Sequence, residues 1–312
     1  MPILLNDKIE TNVKNKNLIA SSVVLLALLP QAANAWNYQG HVTVAEIAYQ
    51  NLSDTARAHV DVLAEKAYRS MPQEIKNKMD TFEGASQFAK LAMVPDLIRK
   101  VPAENIWESM GEQIPASLNQ WDEKTTGAWH YINQAYPASS KCNFIHIPNV
   151  EVVSKSLFDS FKVNHQAASM MFISHLVGDS HQPMHSISSD ISANSCNSDL
   201  GANKYTLNIP QRDLHHLWDS GMGFLDTLYN IHDVAVTLQQ THPKKSFELG
   251  TTGNINQWVQ ESYKMADFGY SVKKDTTPSA AYYKQGTKDV KQRLSQAGYR
   301  LADEINSAYP TK

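Results

Sequence analysis

Apolar side chains recur along most of this chain at three- and four-residue intervals, the spacing that lines up one face of a helix. Val44, Ile47, Ala48 and Leu52 form such a stripe from His41 onward, and Ser53-Asp54 then offers a cap for a following segment. The same period predicts helices over 86–100, 154–178, 214–230, 255–266 and 279–308, the last long and amphipathic. Alternating patterns are scarce. Only 143–147 and 204–209 read as strands, enough for one small β-hairpin. Residues 186–203, rich in Ser, Asn and Asp, read as a functional loop. With no repeat, low-complexity linker or compositional break, the expected architecture is one all-α domain with that hairpin attached.

The first 35 residues form a separate unit. Lys14 and Lys16 precede a short apolar stretch, and Ala33-Asn34-Ala35 makes an A-x-A cleavage site. The stretch is too short for a stable membrane span. An exported protein, periplasmic or secreted, is therefore expected, with 1–35 a signal peptide and 36–312 the domain that starts at Trp36.

Among the 312 residues, 42% hydrophobic and 19% charged content describe an ordinary globular domain with a sizeable core. The net charge of −3 argues against gripping nucleic acid by a basic surface. It leaves open phosphate chemistry run through bound metal. The two cysteines, Cys142 and Cys196, lie in polar sequence outside any Cys-x-x-Cys pair. In an exported chain that favours a disulfide over a zinc role.

Chemistry concentrates between Phe172 and His185, where His175, Asp179, His181 and His185 crowd together. A helix stacks His175 and Asp179 on one face, and Pro183 ends or kinks it before His185. Asp213-Leu-His215-His-Leu-Trp218-Asp219 repeats a His and an Asp at i, i+4. Neutral imidazoles beside carboxylates suit zinc. Taken singly, other candidates have plain readings. Asp96 could cap the helix after Pro95, His130 could be an ordinary half-buried imidazole, and His41 alone means nothing. His59, His165, His232 and His242 are given no role.

The motifs occur in a telling order: Trp36 with His41 five residues on, Pro-Asp96-x-x-Arg99, Trp-His130-Tyr131-Ile-Asn133, His175-x-x-x-Gly-Asp179-x-His181-Gln-Pro-x-His185, Asp199-x-Gly201-x-Asn203 and Leu-His215-x-x-Trp-Asp219. The chain resembles the zinc-dependent type I nucleases, single-strand-specific enzymes typified by the fungal S-one and P-one nucleases. The similarity runs from Trp36 to Ala297-Gly298-x-Arg300-Leu-Ala. It implies the helical fold that these nucleases share with zinc phospholipases C, and three Zn2+ per chain. One would be held by Asp96, His130, His175 and Asp179, and a second by the α-amine and carbonyl of Trp36, by His41 and by the other oxygen of Asp179. The third would take His185, His215 and Asp219. Water between the pair bridged by Asp179 would be the nucleophile.

The resemblance further implies cleavage of single-stranded DNA and RNA to 5′-phosphate products, with 3′-nucleotidase activity on nucleotides. Tyr131 would stack a base, Asn203 would read a base edge or merely shape a turn, and Arg99 would grip the phosphate or merely form an ion pair. His181 is expected to support ligands rather than be one. Two positions depart from the fungal pattern. Asn133 replaces an acid assigned to nucleophile activation or base contact, and Ala202 breaks a Gly-Gly-Asn turn, which is costly if positive φ is needed there. Two other functions fit parts of the pattern: a zinc phospholipase C, and a non-catalytic zinc-binding protein. Asp219, where the phospholipases carry Glu, and the absence of a His-rich tract speak against them. No stable membrane association is expected, and the sequence points to no protein partner in particular.

Overall fold

Asn37 starts the first helix by accepting the Gly40 N–H on its side chain. The computed structural model describes residues 36–192, 195–227 and 230–310. The expected leader lies outside the described residues. Helix α1 (Tyr38–Gln50) is followed by α2 (Asp54–Ser70), whose N-cap is Ser53 as expected, with its side chain accepting the Ala56 N–H. Then come α3 (Gln73–Met79), α4 (Gln87–Leu91), α5 (Val94–Leu97) and α6 (Ala103–Ser109). The second half carries α7 (Val150–Asn164), α8 (Ala167–His181), α9 (Leu214–Asp219) and α10 (Ile231–Thr241). It ends with α11 (Ile255–Tyr263), α12 (Ala266–Gly269) and α13 (Ala280–Ala308).

All fifteen residues of α8 are buried, and α1, α2, α7, α11 and α13 pack around it. A helix surrounded on every side must have both ends satisfied by its neighbours. Glu112 accepts the Ala167 and Ala168 N–H groups at 2.9 and 3.0 Å, placing negative charge at the positive end of the helix dipole. At the other end Ser262 donates to the Ser180 carbonyl at 2.7 Å, and Arg293 to the His181 carbonyl at 3.1 Å. Pro183 then stops the helix and opens a short 3₁₀ turn, Pro183–His185.

Several expected helices are interrupted. The stretch 154–178 breaks at His165, which is left-handed (φ 47°) and separates α7 from α8. The stretch 214–230 breaks after six helical residues, because Gly221, Met222 and Gly223 all take positive φ. The stretch 86–100 splits into α4 and α5, with Pro95 in the first turn of α5.

The all-α class holds, but the small sheet differs from the expected hairpin. Strand β1 (Gln134–Tyr136) pairs in parallel with β2 (Ile187–Ser189), Ala135 opposite Ser188. The stretch 143–147 forms no strand and exposes Ile145 and Ile147, with no apolar layer to cover them. In 204–209 only Thr206 makes an isolated bridge, to Asp213. The parallel pair forms instead where two chain segments leave the site side by side, with Ile132 N–H donating to the His185 carbonyl at 2.7 Å. Cys142 and Cys196 are joined in a disulfide with Cα atoms 5.2 Å apart, tying 141–147 to the loop after β2. Among the described residues no helix is long and apolar enough to cross a membrane.

Candidate metal centre

Four donor atoms from three parts of the chain meet beside α8. His175 and Asp179 project from α8, Asp96 from α5, and His130 from a 3₁₀ turn (Gly127–His130). His175 Nε2 lies 2.8 Å from His130 Nδ1 and 3.1 Å from Asp179 Oδ2, which is itself 3.0 Å from His130 Nδ1. Asp96 Oδ1 stands 3.6 Å from His175 Nε2 and 3.7 Å from His130 Nδ1. A tetrahedron of ligands about 2.0–2.1 Å from a zinc ion has edges of about 3.3 Å. His130, His175 and Asp179 could hold such an ion together, with Asp96 at a matching distance from both imidazoles. Asp96 does not cap a helix. It is buried inside α5, and neither of its oxygens has a hydrogen-bond partner.

The other oxygen of Asp179 faces a second group. His41 Nε2, on α1, lies 3.4 Å from Asp179 Oδ1, and neither atom has a hydrogen-bond partner. The His41 ring stacks on His175 at 3.7 Å, and its donors also approach those of Asp96 and His175, so the first two expected sites form one continuous pocket. Gly178 makes this possible: a Cβ there would meet His41 Nδ1 at 2.9 Å. Trp36 is fully buried beside them, its indole N–H donating to the Gly178 carbonyl at 3.0 Å.

His185, His215 and Asp219 make a third cluster whose donor atoms lie within 4.8 Å of one another. His215 Nε2 is 3.3 Å from Asp219 Oδ2, and these atoms and His185 Nε2 are buried without hydrogen-bond partners. The other nitrogen of each imidazole is tied to backbone. His185 Nδ1 donates to the His130 carbonyl at 2.6 Å and His215 Nδ1 to the Gly201 carbonyl at 2.5 Å, as His175 Nδ1 does to Ala92 at 2.6 Å. Such bonds select the tautomer that leaves Nε2 free as a ligand.

Electrostatics points the same way. Burial pulls the pKa values of His41, His130 and His185 well below the usual imidazole value, and brings His215 down to about 4. These four are held neutral, the form that binds metal. For His175 burial acts downward, but the Asp179 and Asp96 carboxylates outweigh it and raise the pKa. Burial raises both Asp179 and Asp219. Two buried carboxylates among imidazole lone pairs form a set that a cation would satisfy.

The loop behind His215 is strained for a reason. Leu200, Gly201 and Ala202 all have positive φ (58°, 65° and 67°), so the left-handed conformation at Ala202 is real. Buried Asp199 holds the turn, its Oδ1 accepting from Ser188 Oγ, Ser189 N–H and Ala202 N–H at 3.0 Å each and its Oδ2 from Tyr270 OH at 2.7 Å. A Cβ on Gly201 would meet the Met184 carbonyl at 2.5 Å, so glycine at this position lets its own carbonyl reach His215 Nδ1. Asn203 turns its amide back onto the Leu200 carbonyl at 2.6 Å, the turn-shaping arrangement. Arg99 pairs with Asp96, its Nη2 3.0 Å from Oδ1, in a partly shielded contact. Tyr131 and Asn133 are half-buried beside His130.

His181 points elsewhere. Its Nδ1 donates to the Val177 carbonyl at 2.7 Å and its Nε2 accepts from Arg300 at 2.9 Å, away from every cluster. The roles of Asp199 as loop anchor and of Gln182, whose amide meets Asp219, escape a reading by residue type, although both lie inside the recurring motifs.

Fold and site together define an all-α protein built around three buried His–Asp clusters able to hold metal. The chain belongs to the S1/P1 nuclease family, whose model matches residues 36–310. It is similar to three Arabidopsis thaliana proteins. Endonuclease 3 is 26% identical, with 93% of this chain and 95% of the relative covered. Endonuclease 5 is 25% identical over 93% and 96%, and Endonuclease 4 is 23% identical over 93% and 94%. The chain is thus a nuclease, and the phospholipase and zinc-storage readings lose their ground.

Proposed function

We propose that the protein is an exported, zinc-dependent endonuclease that cleaves single-stranded DNA and RNA to 5′-phosphate products and acts on mononucleotides as a 3′-nucleotidase. The observation that carries this reading is the packing of His130, His175 and Asp179, whose donor atoms lie 2.8–3.1 Å apart, with Asp96 3.6–3.7 Å from both imidazoles and paired to Arg99 on its outer side. Zinc supplies Lewis acidity at such a site, lowering the pKa of water to about 7 and offsetting charge on the phosphate as its P–O3′ bond breaks.

The chain's part is to hold three ions in fixed relation. Asp96, His130, His175 and Asp179 Oδ2 would take the first, Asp179 Oδ1, His41 and Trp36 the second, and His185, His215 and Asp219 the third. Trp36 joins through its α-amine and carbonyl once residues 1–35 are removed. That step is supported by the buried Trp36 side chain and by a family match that begins at the same residue. The disulfide and the leader pattern support export. Arg99 would hold Asp96 in place and meet the phosphate from the same side. Tyr131 would stack an unpaired base, contributing about 1–3 kcal/mol and favouring unstacked strands. Asn133 cannot serve as a base, so it would act as a hydrogen-bonding group to the nucleobase. Asn203 would reach the base only by leaving its turn.

Metal analysis of protein beginning at Trp36, beside a form keeping one extra residue before it, tests the reading. Three zinc ions and single-strand hydrolysis are expected in the first, with one ion and most activity lost in the second. Full loading and full activity of the extended form would rule out the α-amine. Equal rates on single strands and duplexes would rule out the substrate assignment.

A further inference from the structure

The third cluster is held from outside by a residue with no assigned role. Gln182 follows the last residue of α8, fully buried, and its side chain makes two hydrogen bonds of opposite sense. Its Oε1 accepts the Met184 N–H at 2.5 Å, and its Nε2 donates to Asp219 Oδ1 at 2.6 Å. The first bond fixes which end of the amide is which, so the group facing Asp219 must be the donor. With Oδ1 engaged, Oδ2 is the oxygen left toward His215 Nε2 at 3.3 Å and has no other partner. The same turn carries His185 three residues on, so a single amide sets the ligand-bearing turn and the ligand carboxylate against each other.

We infer that Gln182 is a positioning residue for the third metal site, orienting Asp219 so that one oxygen is presented with His185 and His215. This rests on the three-zinc reading above. A glutamate at 182 has the same size but would face Asp219 with a second carboxylate. Leucine would remove both bonds. Partners that orient metal ligands from behind typically alter metal affinity or activity by about 10–100-fold.

The test is zinc retention by full-length processed protein against a graded chelator, followed by metal analysis rather than activity. Gln182→Glu and Gln182→Leu should each lose one ion of three at about 10–100-fold lower chelator concentration than the parent, while the other two are held as before. A double-mutant cycle separates positioning from general damage. If Gln182 acts through Asp219, Gln182→Leu should have no further effect on retention in an Asp219→Ala background. Persistence of its full effect there would overturn the inference, as would parent-like retention by both single variants. A parent that never loads a third ion would overturn the zinc reading along with it. If Gln182→Leu fails to fold, the Glu variant carries the same comparison, and parent-like retention by it alone overturns the assignment.

Discussion

Helix α8 separates two buried polar regions that both draw histidines from it and differ in closure. His175 and Asp179 meet Asp96, His130 and His41 on one side, and His181 meets Arg300, Arg293 and Glu261 on the other. The separation is helical geometry: Asp179 returns to the face of His175, whereas His181 stands roughly 200° further round. Behind the helix, charges and hydrogen bonds close on one another. Arg300 holds both oxygens of Glu261 at 2.6 and 2.8 Å, Arg293 adds a contact at 2.9 Å, and Arg293 Nη2 donates to Ser262 Oγ at 2.7 Å. In front, carboxylate oxygens and imidazole nitrogens converge, with Arg99 reaching Asp96 at the edge and several donor atoms left without hydrogen-bond partners. Buried histidines in one motif thus have two meanings. Closed partners mark architecture, and convergent orphaned atoms mark chemistry.

The sharpest way to break this comparison is Asp179→Asn. Hydrolysis of single-stranded DNA should fall more than about 100-fold, beyond the range typical of outer partners. The chelated protein should unfold at a temperature no lower than the parent's, because Asn keeps the size of the side chain and removes a carboxylate that burial disfavours. A large drop in the stability of the chelated form would mean that the front cluster is architectural after all.

Arg300→Met tests the opposite side. It leaves Glu261 with Arg293 alone and the His181 nitrogen without its donor, and should lower the free energy of unfolding in urea by about 1–3 kcal/mol. Metal content per folded molecule should be unchanged. Loss of metal without loss of stability would reverse the two assignments.

Acid unfolding sharpens the contrast further. Burial alone would raise the Glu261 carboxyl, but Arg300 and Arg293 overcome it and hold the pKa at about 2. A depressed folded-state pKa gives stability that is fully present above the unfolded value, about 4.3, and is lost as pH falls toward 2. In chelated protein, Glu261→Gln should therefore flatten the acid side of the stability curve between about pH 4.3 and 2. An unaltered curve in that window would show that the network does not carry the linkage.

The smallest effect is expected at the loop behind His215. A left-handed conformation costs a non-glycine residue roughly 1–2 kcal/mol, so Ala202→Gly should raise stability by up to about 1 kcal/mol after losing one buried methyl. Denaturant midpoints would reveal it, and single-strand hydrolysis should persist. A destabilised variant would mean that the methyl's packing outweighs the strain.

Much of the candidate site was legible because its residues come in pairs set by local geometry. His175 with Asp179 and His215 with Asp219 need only a helix to face the same way, and both do. The disulfide between Cys142 and Cys196 was legible from cysteine count and the leader-like pattern of 1–35. The hairpin was not. Its expected strands met no apolar layer, while the parallel pair is held by segments leaving the site together. The role of His181 was half legible: its exclusion from the ligand set holds, but it braces α8 against α13 rather than supporting a ligand directly.

The sequence by itself determined the helical class, the cap at Ser53, the stop at Pro183 and the chemical identity of the donor groups, since each depends on neighbours within one or two turns. Only the tertiary structure decided that Asp179 faces two groups at once, that His41 and His175 share a pocket, and that Gln182 meets Asp219. Those contacts join segments tens of residues apart. Local periodicity sets the direction of a side chain around its own helix, and packing against other elements decides what it finds there.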